Sequence, residues 1–160
     1  MQSKTSPLGS FANINIFIFL SGIITGLALP PIFFTPGILL IASLAFQIHS
    51  QQSLKAVALR SWLWGLGYNI AGIYWVCASL FVYIEEYWWL VPIAFIGLPA
   101  ILATFLAIAC LLIKILCRQF SNYFTVIFTI MWIIYEWTIS WIFTGFPWGL
   151  IGYSLSFSSY

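Results

Sequence analysis

Trp141-Ile-Phe-Thr-Gly-Phe-Pro-Trp-Gly-Leu-Ile-Gly-Tyr153 closes a long apolar run and breaks it. Gly145 loses backbone entropy in a helix, and Pro147 removes a donor and clashes with the preceding turn. The proline also pushes Phe146 toward extended geometry. Trp141, Phe146, Trp148 and Tyr153 are side chains of the kind that settle at a membrane–water boundary. The stretch therefore reads as the place where a helix leaves a bilayer and the chain turns at its surface. An aromatic belt at a helix end explains it in full. With a polar group beneath, it becomes the lip over a lipid-facing cavity, and Glu136 supplies that group.

Composition points the same way. The chain has 160 residues, 63% hydrophobic and 5% charged, whereas a soluble domain carries about 25% charged residues. So few charges define an all-α integral membrane protein with no separate aqueous domain. A net charge of +2 is too small to suggest nucleic acid. Cys77, Cys110 and Cys117 lie inside apolar runs, without CxxC spacing or a histidine cluster, so neither metal nor disulfide framework is expected. They read as small buried hydrophobes, and no cofactor is implied.

A bilayer core takes about 20 apolar residues as a helix. After a polar start at 1–10, five spans are predicted, over 11–29, 32–46, 61–83, 93–116 and 123–143. The aromatic turn 144–153 and a short tail 154–160 follow. The first span is longer than a secretory signal and has no small-x-small site before Pro30, so it reads as a retained anchor. Pro30-Pro31 forces a tight reversal. The second span is short and holds Pro36-Gly37. Gln47 to Arg60 is a polar segment, in which His49 reads as a solvated loop histidine. In the third span Gly65, Gly72 and Ser79 recur every seven residues, which places small residues along one face for close helix packing. Asn69 there suits an interhelical hydrogen bond. Glu85-Glu86 with Trp88 and Trp89 marks an exposed turn, and Pro99 a tolerated kink in the fourth span.

With five spans, Lys4, Lys55, Arg60, Lys114 and Arg118 all fall on one side, and Glu85, Glu86 and the aromatic motif on the other. The positive-inside rule makes the first side, with the N-terminus, cytoplasmic. Glu136 then lies about 20 Å along a core about 30 Å thick. A charge inside a bilayer is expensive and faces a bundle interior or a wet cavity. Either a structural hydrogen bond, with Tyr135, Trp137 or Asn69 in reach, or a functional role accounts for it. No second carboxylate lies close in sequence, so no acid/base pair is visible.

Two passages carry a resemblance. One is Trp64-Gly-x-Gly67 with Ala71-Gly-Ile-Tyr-Trp-Val-x-x-Ser79. The other is Trp132, Glu136-Trp-x-x-x-Trp141, Thr144-Gly-Phe-Pro-Trp148 and Gly152-Tyr-Ser154. Gly26-Leu-Ala-Leu-Pro-Pro31 adds a weaker match. Together they resemble the membrane part of bacterial apolipoprotein N-acyltransferase. The resemblance implies a multi-pass enzyme of the inner membrane that moves an acyl chain from a phospholipid to the amino group of a diacylated lipoprotein cysteine. It also implies a periplasmic nitrilase-like domain with a Glu-Lys-Cys triad. The 160 residues match only about the first third of such a protein, and none of their cysteines matches the catalytic position. No catalytic residue is carried over. Trp75, Glu136, Gly145, Phe146, Pro147, Trp148 and Tyr153 are carried over as wall or lip of the lipid-access region. Ile139-Ser140 stands where the family commonly has Arg-Gly, which removes a cationic partner for Glu136 or for a lipid phosphate. Leu155 stands where it often has Gln.

The expectation is an N-terminal membrane fragment, from truncation or a split or decaying gene, inactive alone. Its partners would be membrane phospholipid, a diacylated lipoprotein and a separately encoded remainder. The alternative is a small multi-span transporter subunit or scaffold, with Glu136 on a solute path and no acyltransferase role.

Overall fold

A computed structural model describes residues 7–142 and 149–156; the side chains of residues 7–11, Ser79 and Tyr83 are outside that description. The elements are helical throughout the described residues. Helix α1 (Pro7–Gly26) leads through a turn into a 3₁₀ segment, Thr35–Leu40, that continues as α2 (Ile41–Ser50). Helix α3 (Leu54–Ile73) passes into a second 3₁₀ run, Tyr74–Tyr83. Two short pieces follow, α4 (Ile84–Tyr87) and α5 (Leu90–Pro92), and then a π turn at Ile93–Gly97. Helices α6 (Leu98–Gln119) and α7 (Phe124–Trp141) form a hairpin, and Ile151–Leu155 adds one 3₁₀ turn.

Three helical runs are long and apolar enough to cross a membrane: Leu54–Val82, Leu90–Gln119 and Ser121–Trp141. Two shorter apolar helices, Ala12–Gly26 and Thr35–Ser50, accompany them. A 3₁₀ helix rises about 2.0 Å per residue against about 1.5 Å for an α-helix. The six-residue 3₁₀ lead-in therefore stretches Thr35–Ser50 to roughly 27 Å, close to a bilayer core of about 30 Å.

Helix α3 is the centre of the bundle, with Trp64 and Tyr68 fully buried. Lipid is as apolar as leucine, so helices in a membrane are held by close contact rather than by escape from water. The closest seam joins α1 to α3. A Cβ added at Gly22 would land on the carbonyl oxygen of Trp64, and one at Gly26 on that of Tyr68. From the other side, a Cβ at Gly67 would land on the carbonyl oxygen of Phe19. From Gly22 with Trp64 to Gly26 with Tyr68 and Ala71 the pairing rises along both helices, so α1 and α3 run parallel. Gly37 meets the Ile24 carbonyl, and the Ser43 and Ser21 hydroxyls lie 2.9 Å apart, so α2 returns antiparallel to α1.

The glycines of α3 expected to form one stripe serve two neighbours. An added Cβ on Gly65 would lie 2.9 Å from Leu106 and 3.2 Å from Ala103, both in α6. One on Gly72 would lie 2.7 Å from Leu29, beyond the end of α1. The α-helix ends at Ile73, so the 3.6-residue period does not reach Ser79.

Two local readings of the sequence are replaced. The polar stretch 47–60 is mostly helix: only residues 51–53 connect α2 to α3, where Ser53 Oγ accepts from the Ala56 amide and caps α3. Arg60 is thus inside α3, buried, with Nη1 donating to Gln47 Oε1 at 2.9 Å. His49 belongs to the last turn of α2, its ring set edge-on to Phe124 at 5.2 Å. Pro99 lies inside the continuous helical run Leu90–Gln119, directly after the π turn Ile93–Gly97, the setting in which a proline is tolerated within a span.

Lys114 Nζ reaches the His49 carbonyl and Arg118 Nη2 the Gln52 carbonyl, both at 3.1 Å. The C-terminus of α6 therefore meets the N-terminus of α3, and the two run antiparallel. Lys55, Arg60, Lys114 and Arg118 all belong to this end of the bundle. Glu85 and Glu86 lie past the other end of the α3 run. Helix α7 is the least covered: Ile133, Trp137 and Trp141 are 62%, 65% and 72% exposed.

Candidate functional site

The chain beyond α7 folds back onto the bundle, and Glu136 is the post that holds it. The Glu136 carboxylate oxygen Oε1 accepts from the backbone amide of Ile151 at 2.8 Å and from the Trp132 indole at 3.1 Å. The partners named from sequence, Tyr135, Trp137 and Asn69, are not the ones recorded. Trp132 is one helical turn before Glu136, so its indole and the carboxylate share a face. One carboxylate oxygen thus takes two donors, one from a side chain and one from the backbone. In a wall this apolar, they are what makes a glutamate affordable.

Two further bonds secure the same segment. The Tyr68 hydroxyl donates to the Gly149 carbonyl at 2.7 Å. Thr35 Oγ1 lies 3.5 Å from the Ser154 carbonyl, at the outer limit of a hydrogen bond. Ser154 is fully buried, its hydroxyl turned to the Ile151 carbonyl. An added Cβ at Gly149 would lie 4.0 Å from Asn69 Oδ1, whose own amide donates to the Gly65 carbonyl at 2.8 Å. Asn69 thus bonds both within α3 and, through a side-chain hydrogen bond with Tyr135 of α7, between helices as expected. Replacing Tyr68 with Phe keeps the ring and removes only the bond to Gly149. The expected loss is about 0.5–1.5 kcal/mol, read by thermal unfolding in detergent.

Aromatic rings build the floor under the clamp. Trp64 stacks on Tyr68 at 5.4 Å and meets Trp132 edge-on at 6.3 Å. Trp132 stacks on Phe128 at 5.8 Å and meets Tyr135 at 5.8 Å. Such pairs contribute about 0.5–1.5 kcal/mol each beyond their area. They lock the rotamers of Trp132 and Tyr68, the two side chains that hold the returning chain.

Two apolar grooves flank the Ile151–Leu155 turn. One, of about 440 Å³, is bounded by Pro30, Pro31, Trp75 and Tyr153. The other, of about 270 Å³, runs between Ile38, Phe128, Trp132, Ile151 and Leu155. Trp75 and Tyr153, named from sequence as wall and lip, thus share one groove. Glu136 sits behind the turn as its anchor. Gly145, Phe146, Pro147 and Trp148 lie outside the described residues. Sequence reading missed Tyr68, Trp132 as a donor, and Thr35. Trp132 at one turn from Glu136 was the available signal; nothing local points to Tyr68 or Thr35, whose partners are 81 and 119 residues away.

The described arrangement holds and shapes the returning segment. Its one carboxylate is engaged as an acceptor, and its grooves are apolar. Cys77 and Cys110 are buried within helices. Among the described residues no group of three or more His, Cys, Asp or Glu side chains could hold a metal.

A helical bundle with membrane-length apolar helices and a carboxylate-anchored turn between apolar grooves defines an integral membrane domain built to face lipid. Residues 21–160 match the family model described as the apolipoprotein N-acyltransferase N-terminal domain, and the chain belongs to that family. It is 40% identical over 143 residues to an apolipoprotein N-acyltransferase of Rickettsia typhi, covering 89% of this chain and 28% of that protein. The protein of that name from Rickettsia bellii is 38% identical over 143 residues, with the same coverage. That from Brucella melitensis is 33% identical over 146 residues, covering 85% of this chain and 27% of the relative. The chain spans a little over a quarter of the length of these relatives. Its apolar helices and bacterial kin make it a bacterial membrane protein.

Proposed function

We propose that these residues are the membrane-side, lipid-access part of a phospholipid-to-apolipoprotein N-acyltransferase of the bacterial inner membrane. The observation that carries this reading is the family match across residues 21–160, which includes Glu136 and the turn it anchors. In this reading the chain crosses the membrane five times with its N-terminus in the cytoplasm. The 27 Å reach of Thr35–Ser50 supports counting it as a span, and the gathering of basic residues at one end supports the orientation. The groove at Trp75 and Tyr153 takes the acyl tail of a phospholipid or of a diacylated lipoprotein. The Glu136 clamp fixes the Ile151–Leu155 turn that carries Tyr153 beside this groove.

Acyl transfer itself is assigned to sequence beyond these 160 residues, in the same or a second polypeptide. Covalent catalysis needs a nucleophile beside an activating base, and the glutamates described here are occupied elsewhere: Glu136 with Ile151, Glu85 and Glu86 past the end of α3. Expressed by itself with a diacylated lipoprotein and phospholipid, the chain is expected to give no triacylated product by mass spectrometry. Turnover by these residues alone would overturn the assignment.

A further inference from the structure

We propose that the basic end of the bundle holds the phosphodiester of an anionic phospholipid, at a site separate from the grooves around Glu136. A cavity of about 340 Å³ opens between the end of α2 and the α6–α7 hairpin, bounded by Ile48, His49, Gln52, Lys114, Arg118 and Phe124. Lys114 is 8% exposed, an ammonium almost wholly taken from solvent. Arg118 follows one turn later on the same face, and like charges at this spacing repel.

Their protein partners are carbonyl dipoles, that of His49 for Lys114 and that of Gln52 for Arg118. The Lys114 bond caps the end of α2 and suits its dipole, and the Arg118 bond holds the connection that follows. They do not neutralise two full charges. An ammonium carries three donors and a guanidinium five, so donors remain for an anion in the cavity beside them. The chain has three acidic side chains, and all belong to the far end: Glu136 at the Ile151 clamp, Glu85 and Glu86 in a surface hollow with Val82 and Ile84. The missing counter-charge must come from outside the chain.

Phosphate chemistry fits the donors, and the setting selects its source. The cavity lies at the ends of helices of membrane length, where headgroups are, and Ile48 and Phe124 offer apolar wall to the chains below. Basic pockets between transmembrane helices at this level bind anionic headgroups. The inference rests on the membrane placement of α3, α6 and α7, not on the acyltransferase reading.

The test uses the whole chain in nanodiscs of phosphatidylcholine with and without phosphatidylglycerol, with bound lipid counted by native mass spectrometry. The unaltered chain should retain phosphatidylglycerol selectively. Arg118→Gln, at an exposed position, should weaken retention about fivefold, and Lys114→Gln with Arg118→Gln about 25-fold. Lys55→Gln removes an equal charge from an exposed residue that does not line the cavity, and should change retention less than about twofold. An equal loss in Lys55→Gln would reduce the effect to general attraction and overturn the site. Inorganic phosphate is titrated by phosphorus NMR in discs of phosphatidylcholine alone. Saturable phosphate binding lost in Arg118→Gln, without selectivity for phosphatidylglycerol, would overturn the lipid as its source.

Discussion

Replacing Gly22 with alanine should cost the bundle about 1–3 kcal/mol or more, although it adds a single methyl group. The new carbon would occupy the place of the Trp64 carbonyl oxygen. A backbone oxygen has no rotamer to move into, so α1 must shift away from α3 as a body. That shift weakens the contacts at Gly26 and Gly67, which belong to the same seam. Helix propensity acts in the opposite direction, since alanine improves on glycine by about 1 kcal/mol in a helix interior. Gly97→Ala is the matched control: its added carbon would meet only Ile93 Cγ2, at an ordinary 3.6 Å. Denaturation titrations in mixed micelles should show Gly97→Ala neutral or stabilising and Gly22→Ala strongly destabilising. Equal stability in the two variants would mean that α1 and α3 are not in contact at Gly22.

Glu136→Ala should release the returning chain without unfolding the helices. The Ile151 amide loses its acceptor and the Trp132 indole loses its partner. A buried donor left unpaired costs about 1–3 kcal/mol. Deuterium exchange at the Ile151 amide should therefore speed up about 5- to 150-fold, since each 1.4 kcal/mol is a factor of ten. Amides within α3 and α6 should keep their protection, because opening is local where few contacts hold a segment. Glu136→Gln keeps an oxygen acceptor at the same place and should show a much smaller change. Unchanged exchange at Ile151 in Glu136→Ala would remove the clamp from the structure.

How much of this could be read from the sequence depends on the range of the signal. The membrane class followed from composition, because so few charges leave no alternative. The interruption at Pro30-Pro31 was legible as a break because proline acts on its own backbone. Helix limits near 50–54 were not. Polar residues at a helix end resemble a loop when only hydropathy is read, and the Ser53 cap is a weaker signal than the charge around it. The small-residue pattern was read at spacing seven in α3, while the tightest seam uses Gly22 and Gly26 at spacing four in α1. The same packing rule predicts both, and only three-dimensional contact ranks them. Glu136 stood out as an isolated intramembrane charge. Its main partner, the Ile151 amide, is a backbone group with no residue signature, so no pattern search finds it. Tyr68 was hidden for the same reason, as its acceptor is the carbonyl of Gly149.

Membrane sidedness underlies the proposed function, and it is open to direct labelling. Single cysteines are placed at Lys55 and at Glu85 in a chain whose own three cysteines are replaced by alanine. Intact cells are treated with a membrane-impermeant maleimide, and then again after lysis. Position 85 should react in intact cells, and position 55 only once the inner membrane is opened. Reaction of both positions from the same compartment would contradict the bundle's orientation, and with it the placing of the Glu136 turn on the periplasmic face.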